Sequence, residues 1–305
     1  MKTKTARAVQ PNAGVEAAYR KALQLMLREM AQELFNSVRE AYYKDGRPAH
    51  GFAADSMAII HIPGQRVYDD TDYDANGQVL PGAGEWQPEY YRLAQDAPLR
   101  FNKLQAAMDK WGGIWTKRLE NLSVRIAWNF AAKNQEATDT AVKSSFKDAG
   151  LTVKFKPTRR MQSAFRATVA ENVALIKSIP QKFLTEVQSS VWQNVMAGSD
   201  LKTLSEGMSA KYGVAHRRCA LIARDQNAKA KATFENERRK ELGIKEAIWQ
   251  HSSAGKEPRP THVAMNGKRY KLEEGMYDSD EGAHIWPGQL INCRCTSRAV
   301  IEGFE

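Results

Sequence analysis

The chain has 305 residues, of which 42% are hydrophobic and 26% charged, a globular composition that excludes a chain disordered throughout. Its formal net charge of +10 favours an acidic partner such as nucleic acid. Three cysteines without framework spacing argue against a disulfide scaffold, and no signal peptide or transmembrane run is visible, so we expect synthesis in a cytoplasm.

The first element is predicted to be a long amphipathic helix. Apolar residues recur at spacings of three and four from Val15 to Val38, which keeps them on one helix face. Asn12 is suited to cap the helix, and the sequence Asp-Gly-Arg-Pro at residues 45–48 is suited to end it.

A second helical block is predicted from Pro98 to Gly150, with a bend or break at Gly112 and Gly113. Residues 46–96 before it are interpreted as an acidic loop insertion. Within this loop, residues 72–83 resemble the opening of a calcium loop. Ala83 stands where a bidentate Glu is needed, so a turn-rich loop is the favoured interpretation.

The second half of the chain is predicted to carry helices over 160–243 and a small α+β module over 246–305. A short strand is expected at 151–156, and helix breaks are expected at Pro180 and Gly213. We therefore predict an α+β, mainly α-helical protein with two regions. Residues 1–156 would be the helical N-terminal region, and residues 157–305 the second domain.

The helix predicted over residues 216–242 is strongly basic, and such a face can lie along phosphates. A solvated face with salt bridges along it is the alternative, and it is favoured for most of these residues. The candidate nucleic-acid contacts are Arg217, Arg218, Lys229, Lys231, Arg238, Arg239 and Lys240.

Cys293 and Cys295 are expected to point to one face of a closing strand predicted over 290–301. With His262 and either His284 or His251 they could bind zinc, but the single-residue gap is shorter than zinc sites normally use. Packing of reduced thiols in a thin core is favoured instead, so neither a metal nor any other cofactor is predicted.

An enzyme is the competing interpretation of the same cluster. His262 could act as a general base, and its pairing with Asn266 invites a comparison with His-Asn-His nucleases. The Asn266-Gly267 pair is explained by a type I′ turn alone, and no paired carboxylate, nucleophile elbow or phosphate loop is found. We therefore predict no catalytic residue.

In order along the chain, several short motifs resemble the phage Mu F-like minor head proteins, also called phage head-morphogenesis proteins. The resemblance covers roughly residues 160–305 and rests on the order and spacing of the motifs. They are Ile179-Pro180, Leu221 to Gln226, Glu241 to Ile244, Trp249, Arg259 to His262, Asn266 to Lys268, Pro287-Gly288 and Ile291 to Cys295. The residues before Cys293 depart from the usual His-Pro-Asn, which removes one potential metal ligand.

The resemblance implies a structural protein of a tailed-phage head that contacts the portal protein, other capsid proteins and packaged double-stranded DNA. It would reside inside the virion after assembly in the host cytoplasm, help to assemble the procapsid and assist DNA ejection. The matching positions are Arg224, Asp225, His262, Asn266, Gly267, Asn292, Cys293 and Cys295. The alternative is a DNA-acting enzyme or injected effector that uses His262 with a Cys/His metal site.

Overall fold

The computed structural model describes residues 2–44, 47–48, 89–196, 201–253 and 257–304. These residues form four long helices, one short helix and a small antiparallel sheet, so the predicted mainly helical α+β fold is confirmed. The helices are α1 (Ala13–Tyr42), α2 (Glu89–Asp148), α3 (Arg159–Met196), α4 (Leu201–Glu241) and α5 (Pro260–Met265).

The strands are short except for the last one. They are β1 (Lys2–Thr5), β2 (Tyr43–Lys44), β3 (Arg47–Pro48), β4 (Glu246–Gln250), β5 (Arg269–Lys271), β6 (Met276–Asp278), β7 (Ala283–Ile285) and β8 (Thr296–Phe304). The main sheet is antiparallel in the order β1-β8-β4-β5, while β6 pairs with β7 and β2 with β3. The extreme N-terminus therefore completes the sheet of the C-terminal module, which its basic sequence did not predict.

The chain forms two compact units, and each of the four long helices contributes to both. One comprises Met1–Leu25, Glu120–Lys177 and Arg217–Glu305, and the other comprises Met26–Leu119 and Ser178–His216. The division into 1–156 and 157–305 stays a prediction. Among the described residues, no helix has the length and hydrophobicity needed to cross a bilayer.

The helix ends follow the local sequence. Asn12 Oδ1 accepts a hydrogen bond from the backbone N–H of Val15 at 3.0 Å, which confirms the predicted cap of α1. Gly150 and Gly243 have φ values of +90° and +75°, and each follows the last turn of a helix. At Gly243 the next amide, that of Ile244, donates to the carbonyl of Arg239 at 3.0 Å, as in a Schellman cap.

The helix breaks predicted at Pro180 and Gly213 are wrong, because α3 and α4 run through these residues. At Gly112-Gly113, where a bend or a break was predicted, α2 continues without a break. A helical glycine costs only about 1 kcal/mol and a proline about 3 kcal/mol, which burial of the neighbours can offset. At Gly112 the small side chain is needed, since an added Cβ would lie 3.1 Å from Leu184 of α3.

The strand predicted at 151–156 is also absent, because that segment pairs with no strand in the described chain. Its alternation reflects Leu151, Val153 and Phe155, which pack against a core that includes Phe146 and Ile301. The acidic loop was extended too far, because α2 already begins at Glu89. The calcium-like residues 72–83 lie outside the described residues.

Candidate functional site

His262 and two cysteines form a buried cluster in the C-terminal module. His262 lies on α5, which begins at Pro260, a residue whose missing N–H is tolerated in a first helical turn. Its Nδ1 atom lies 3.5 Å from Cys293 Sγ and 3.6 Å from Cys295 Sγ. Within the described chain, these residues form the set whose ligand atoms all lie within 4.8 Å of one another.

The opposite side of the His262 ring faces a carboxylate. Its Nε2 atom lies 3.3 Å from Asp278 Oδ2, and the Asp278 side chain is fully buried at the end of β6. Trp249 of β4 contacts the ring edge-on at 5.3 Å between centroids. Asp278 was missed from the sequence, where a single Asp after a Met-Tyr pair looks like a surface residue.

The two cysteines lie just before β8 rather than on it, because that strand begins at Thr296. This corrects the predicted strand over 290–301, although both sulfurs do reach the same atom of His262. The amide of Gly288 donates to Cys293 Sγ at 3.4 Å. A hydrogen bond between the two thiols lowers the pKa of Cys293, and the contacts with His262 and this amide lower it further. The same bond, together with burial, raises the pKa of Cys295.

A small cavity of about 50 Å³ opens beside the cluster, lined by His251, Glu257, His262 and both cysteines among others. Of the five residues considered for zinc, the structure joins His262, Cys293 and Cys295, while His251 lines the cavity beside them. His284 is exposed on β7, where its ring contacts Tyr277 instead.

The loop before the cysteines is fastened to α4 by neighbouring residues of one motif. Arg224 Nη2 donates to Asn292 Oδ1 at 3.0 Å, and Asp225 Oδ1 accepts from the backbone N–H of Asn292 at 3.0 Å. Asn292 has φ +61°, a left-handed conformation that Asn tolerates better than other residues with a Cβ. Both side chains of this pair therefore contact the C-terminal module.

The next two residues of α4 attach it to the other helices. Gln226 Oε1 accepts from Asn172 Nδ2 of α3 at 3.0 Å, and Asn134 Nδ2 of α2 donates to Asn227 Oδ1 at 2.8 Å. Asn227 Nδ2 in turn donates to the carbonyl of Asn12, the cap of α1. Residues 224–227 therefore connect the module and three long helices. The Asn residues were missed because polar residues at helical spacing look solvent-exposed.

Asn266 and Gly267 act as a turn, as predicted, but of a different type. Asn266 has φ −55° and ψ 130°, Gly267 has φ +78°, and the amide of Lys268 donates to the carbonyl of Met265. These angles are those of a type II turn rather than type I′, because only the second central residue has positive φ. Asn266 Oδ1 also accepts from the amide of His251, so its side chain joins the turn to the end of β4.

Much of the predicted phosphate-binding face is buried. The side chains of Lys231, Arg238 and Arg239 are 4%, 5% and 2% exposed, and each has a carboxylate partner. Lys229 pairs with Asp225 and Glu171, while Lys240 pairs with Glu237. The hydrophobic core accepts these cations because their charges are paired. Of the seven candidates, Arg217 is exposed and Arg218 is half-buried.

The geometry defines a class of protein in which a small α+β module is fastened to a helical scaffold through buried polar contacts. Residues 185–298 match the family described as phage Mu protein F like protein, which confirms the resemblance over that range. This family match suggests a phage head-morphogenesis protein, a structural rather than a catalytic class.

One similar curated relative is an uncharacterized protein of Haemophilus influenzae (strain ATCC 51907 / DSM 11121 / KW20 / Rd). It is 28% identical over 190 residues, which cover 62% of this chain and 41% of the relative. The aligned residues thus span less than half of that relative's length. No solved structure matches the chain.

Proposed function

We propose that the chain is a minor capsid protein of a tailed phage that helps to assemble the head at the portal vertex and stays in the virion. The family match over residues 185–298 carries this proposal, because it covers α4 and nearly all of the C-terminal module. Mass spectrometry of purified procapsids and mature heads tests it. The protein should be present in both at far lower copy than the major capsid protein, and absence from both would refute the proposal.

Docking on the portal is supported by an exposed apolar pair on α2. Val124 and Trp128 are 47% and 54% exposed and lie four residues apart, so they share one face of the helix. Such a face is suited to pack against a helix of another protein. Replacing both with Ser should lower incorporation into procapsids. Ile114→Ser is the control, because Ile114 is 40% exposed on the same helix but lies in the other unit.

Contact with packaged DNA would use exposed cations rather than the buried ones of α4. Residues 143–160 contain six basic residues and one acidic residue. Lys147, Lys154, Arg159 and Arg160 in this stretch are exposed. The logarithm of the DNA-binding constant falls linearly with the logarithm of the salt concentration. For duplex DNA, each phosphate contact that is lost should make this slope shallower by about 0.9.

The DNA experiment compares two variants with the same charge. One variant replaces those four cations with Gln. The other replaces four exposed lysines elsewhere on the chain with Gln, namely Lys21, Lys110, Lys182 and Lys202. The first should bind duplex DNA with a shallower salt slope while the second retains the wild-type slope. Equal slopes in all three proteins would reject this DNA surface.

The alternative is an injected or DNA-acting enzyme built on His262 and the cysteines. Its support is the proximity of these three residues, yet all three are buried beside a small cavity of about 50 Å³. A DNA-cleavage assay separates the alternatives. Cleavage by the wild type that is lost in His262→Ala would replace our proposal with this one.

A further inference from the structure

We propose that His262 Nδ1, Cys293 Sγ and Cys295 Sγ bind one zinc ion. Two thiolates and an imidazole are a donor set that suits Zn²⁺ and disfavours the hard cations Mg²⁺ and Ca²⁺. This proposal does not depend on the head-morphogenesis role proposed above, because the metal content of the protein tests it directly.

The distances fit tetrahedral coordination. Zinc–sulfur bonds of about 2.3 Å and zinc–nitrogen bonds of about 2.0 Å, at a tetrahedral angle, place sulfur and nitrogen about 3.5 Å apart. The two observed Sγ–Nδ1 distances are 3.5 Å and 3.6 Å. Both sulfur atoms lie near the same nitrogen, His262 Nδ1, whose lone pair would bind the metal.

Asp278 supplies the outer-sphere partner that metal-binding histidines normally have. When Nδ1 binds a metal, Nε2 must carry the proton, and here it faces the buried Asp278 carboxylate at 3.3 Å. Among the described residues, both of these buried atoms lack a hydrogen-bond partner, so neither has a competing contact. A fully buried carboxylate in this place orients the imidazole and increases its basicity as a ligand.

The fourth coordination position faces the cavity beside the cluster. Its volume of about 50 Å³ accommodates a water molecule, and polar residues such as Ser252 and Asn292 line it. The missing His in the motif before Cys293 therefore does not leave the ion with too few ligands. Three protein ligands and a water complete a tetrahedron.

The same atoms could be compared with a Cys-His-Asp catalytic triad, in which the imidazole activates one thiol. Two observations favour the metal. A triad needs one sulfur, but two sulfurs are equally distant from Nδ1, and Cys293 and Cys295 are each only 5% exposed. A bound zinc would instead join α5 to the segment before β8, and Asp278 at the end of β6 would hold the His262 ligand in place.

Elemental analysis of the purified full-length protein, produced with zinc in the medium, tests the proposal. We expect about one zinc per chain, and cobalt substitution should give the intense absorption of thiolate-to-cobalt charge transfer. Cys295→Ala should lose the metal. Cys219→Ala, at a buried cysteine on α4, and His284→Ala, at an exposed His, should both retain it.

Asp278→Asn provides a graded measurement that does not depend on removing a ligand. It should bind zinc about 10- to 100-fold more weakly than the wild type in a chelator competition. Wild-type protein that is folded but holds no zinc would overturn the proposal. Full zinc content in the Cys293→Ala/Cys295→Ala double variant would overturn it as well, whether or not the single variants fold.

Discussion

Arg239 of α4 donates hydrogen bonds to two oxygen atoms of Ser297 in β8. Its Nη1 donates to the Ser297 hydroxyl at 2.7 Å, and its Nη2 donates to the Ser297 carbonyl at 2.8 Å. The same guanidinium pairs with Glu235, which also pairs with Lys231, and all these side chains are buried. Arg239 therefore attaches α4 to the sheet.

The first prediction is that Arg239→Ala strongly destabilises the protein. Removing one partner of a buried pair leaves uncompensated polar groups and costs about 3–5 kcal/mol. Arg217→Ala on the same helix should change the free energy of unfolding by less than about 0.5 kcal/mol, because Arg217 is exposed. Urea denaturation measures both, and equal effects would show that Arg239 is not the anchor.

The second prediction concerns the left-handed conformation of Asn292. Asn292→Ala loses the bond from Arg224 and places a less tolerant residue at φ +61°, which should cost about 1–3 kcal/mol. Asn292→Gly loses the same bond but relieves the backbone, so it should be less destabilising than Ala. If Ala were the more stable of the two variants, this account of the loop would be incorrect.

The third prediction compares two glycines that both have positive φ. At Gly275 an added Cβ would lie 2.7 Å from the backbone oxygen of Ile285, whereas at Gly282 no atom lies within 4 Å. Gly282→Ala should cost about 1–2 kcal/mol for the conformation alone. Gly275→Ala should cost clearly more, because backbone must move, and thermal denaturation of the two variants provides the comparison.

The fourth prediction is a loss of stability at alkaline pH. Burial raises the pKa of the Cys219 thiol to about 12 and that of Tyr270 also to about 12. In the unfolded chain these groups ionise near pH 9 and 10, so the unfolded state binds fewer protons above those values. The contribution of Cys219 is complete below about pH 9 and that of Tyr270 below about pH 10, and above these values each declines by about 1.4 kcal/mol per pH unit until about pH 12.

Urea denaturation between pH 8 and 11 measures this decline. Tyr270→Phe and Cys219→Ala should each reduce the slope of stability against pH, because each removes one titrating group. Unchanged slopes in both variants would contradict the assignment to these buried groups.

Local rules predicted the helix ends and the general architecture. The cap at Asn12 and the helix-ending glycines at 150 and 243 depend on neighbouring residues only, and the structure confirms all three. The breaks expected at Pro180 and Gly213 failed because a helix interrupted in sequence can continue where packing offsets the local cost. The pairing of β1 with β8 joins opposite ends of the chain, and no local signal reports it.

The residues of the candidate site also fall into two groups, those that the sequence identified and those that required the structure. The sequence singled out His262, Cys293 and Cys295 because their side chains have distinctive chemistry, and Arg224 and Asp225 because they lie in one of the motifs that resemble the phage head family. It could not identify Asp278 as the partner of His262, since an aspartate on a short strand is chemically ordinary until its burial is known.

The sequence by itself determined the helical character of the chain, its basic charge and the short motifs that match a phage head family, because composition, periodicity and spacing are properties of neighbouring residues. Only the tertiary structure decided which charges are buried, which residues meet around His262 and which strand the N-terminus joins. Those outcomes depend on contacts between residues far apart in the chain. Their free energy comes from burial and hydrogen bonding that exist only once the helices and the small sheet have packed together.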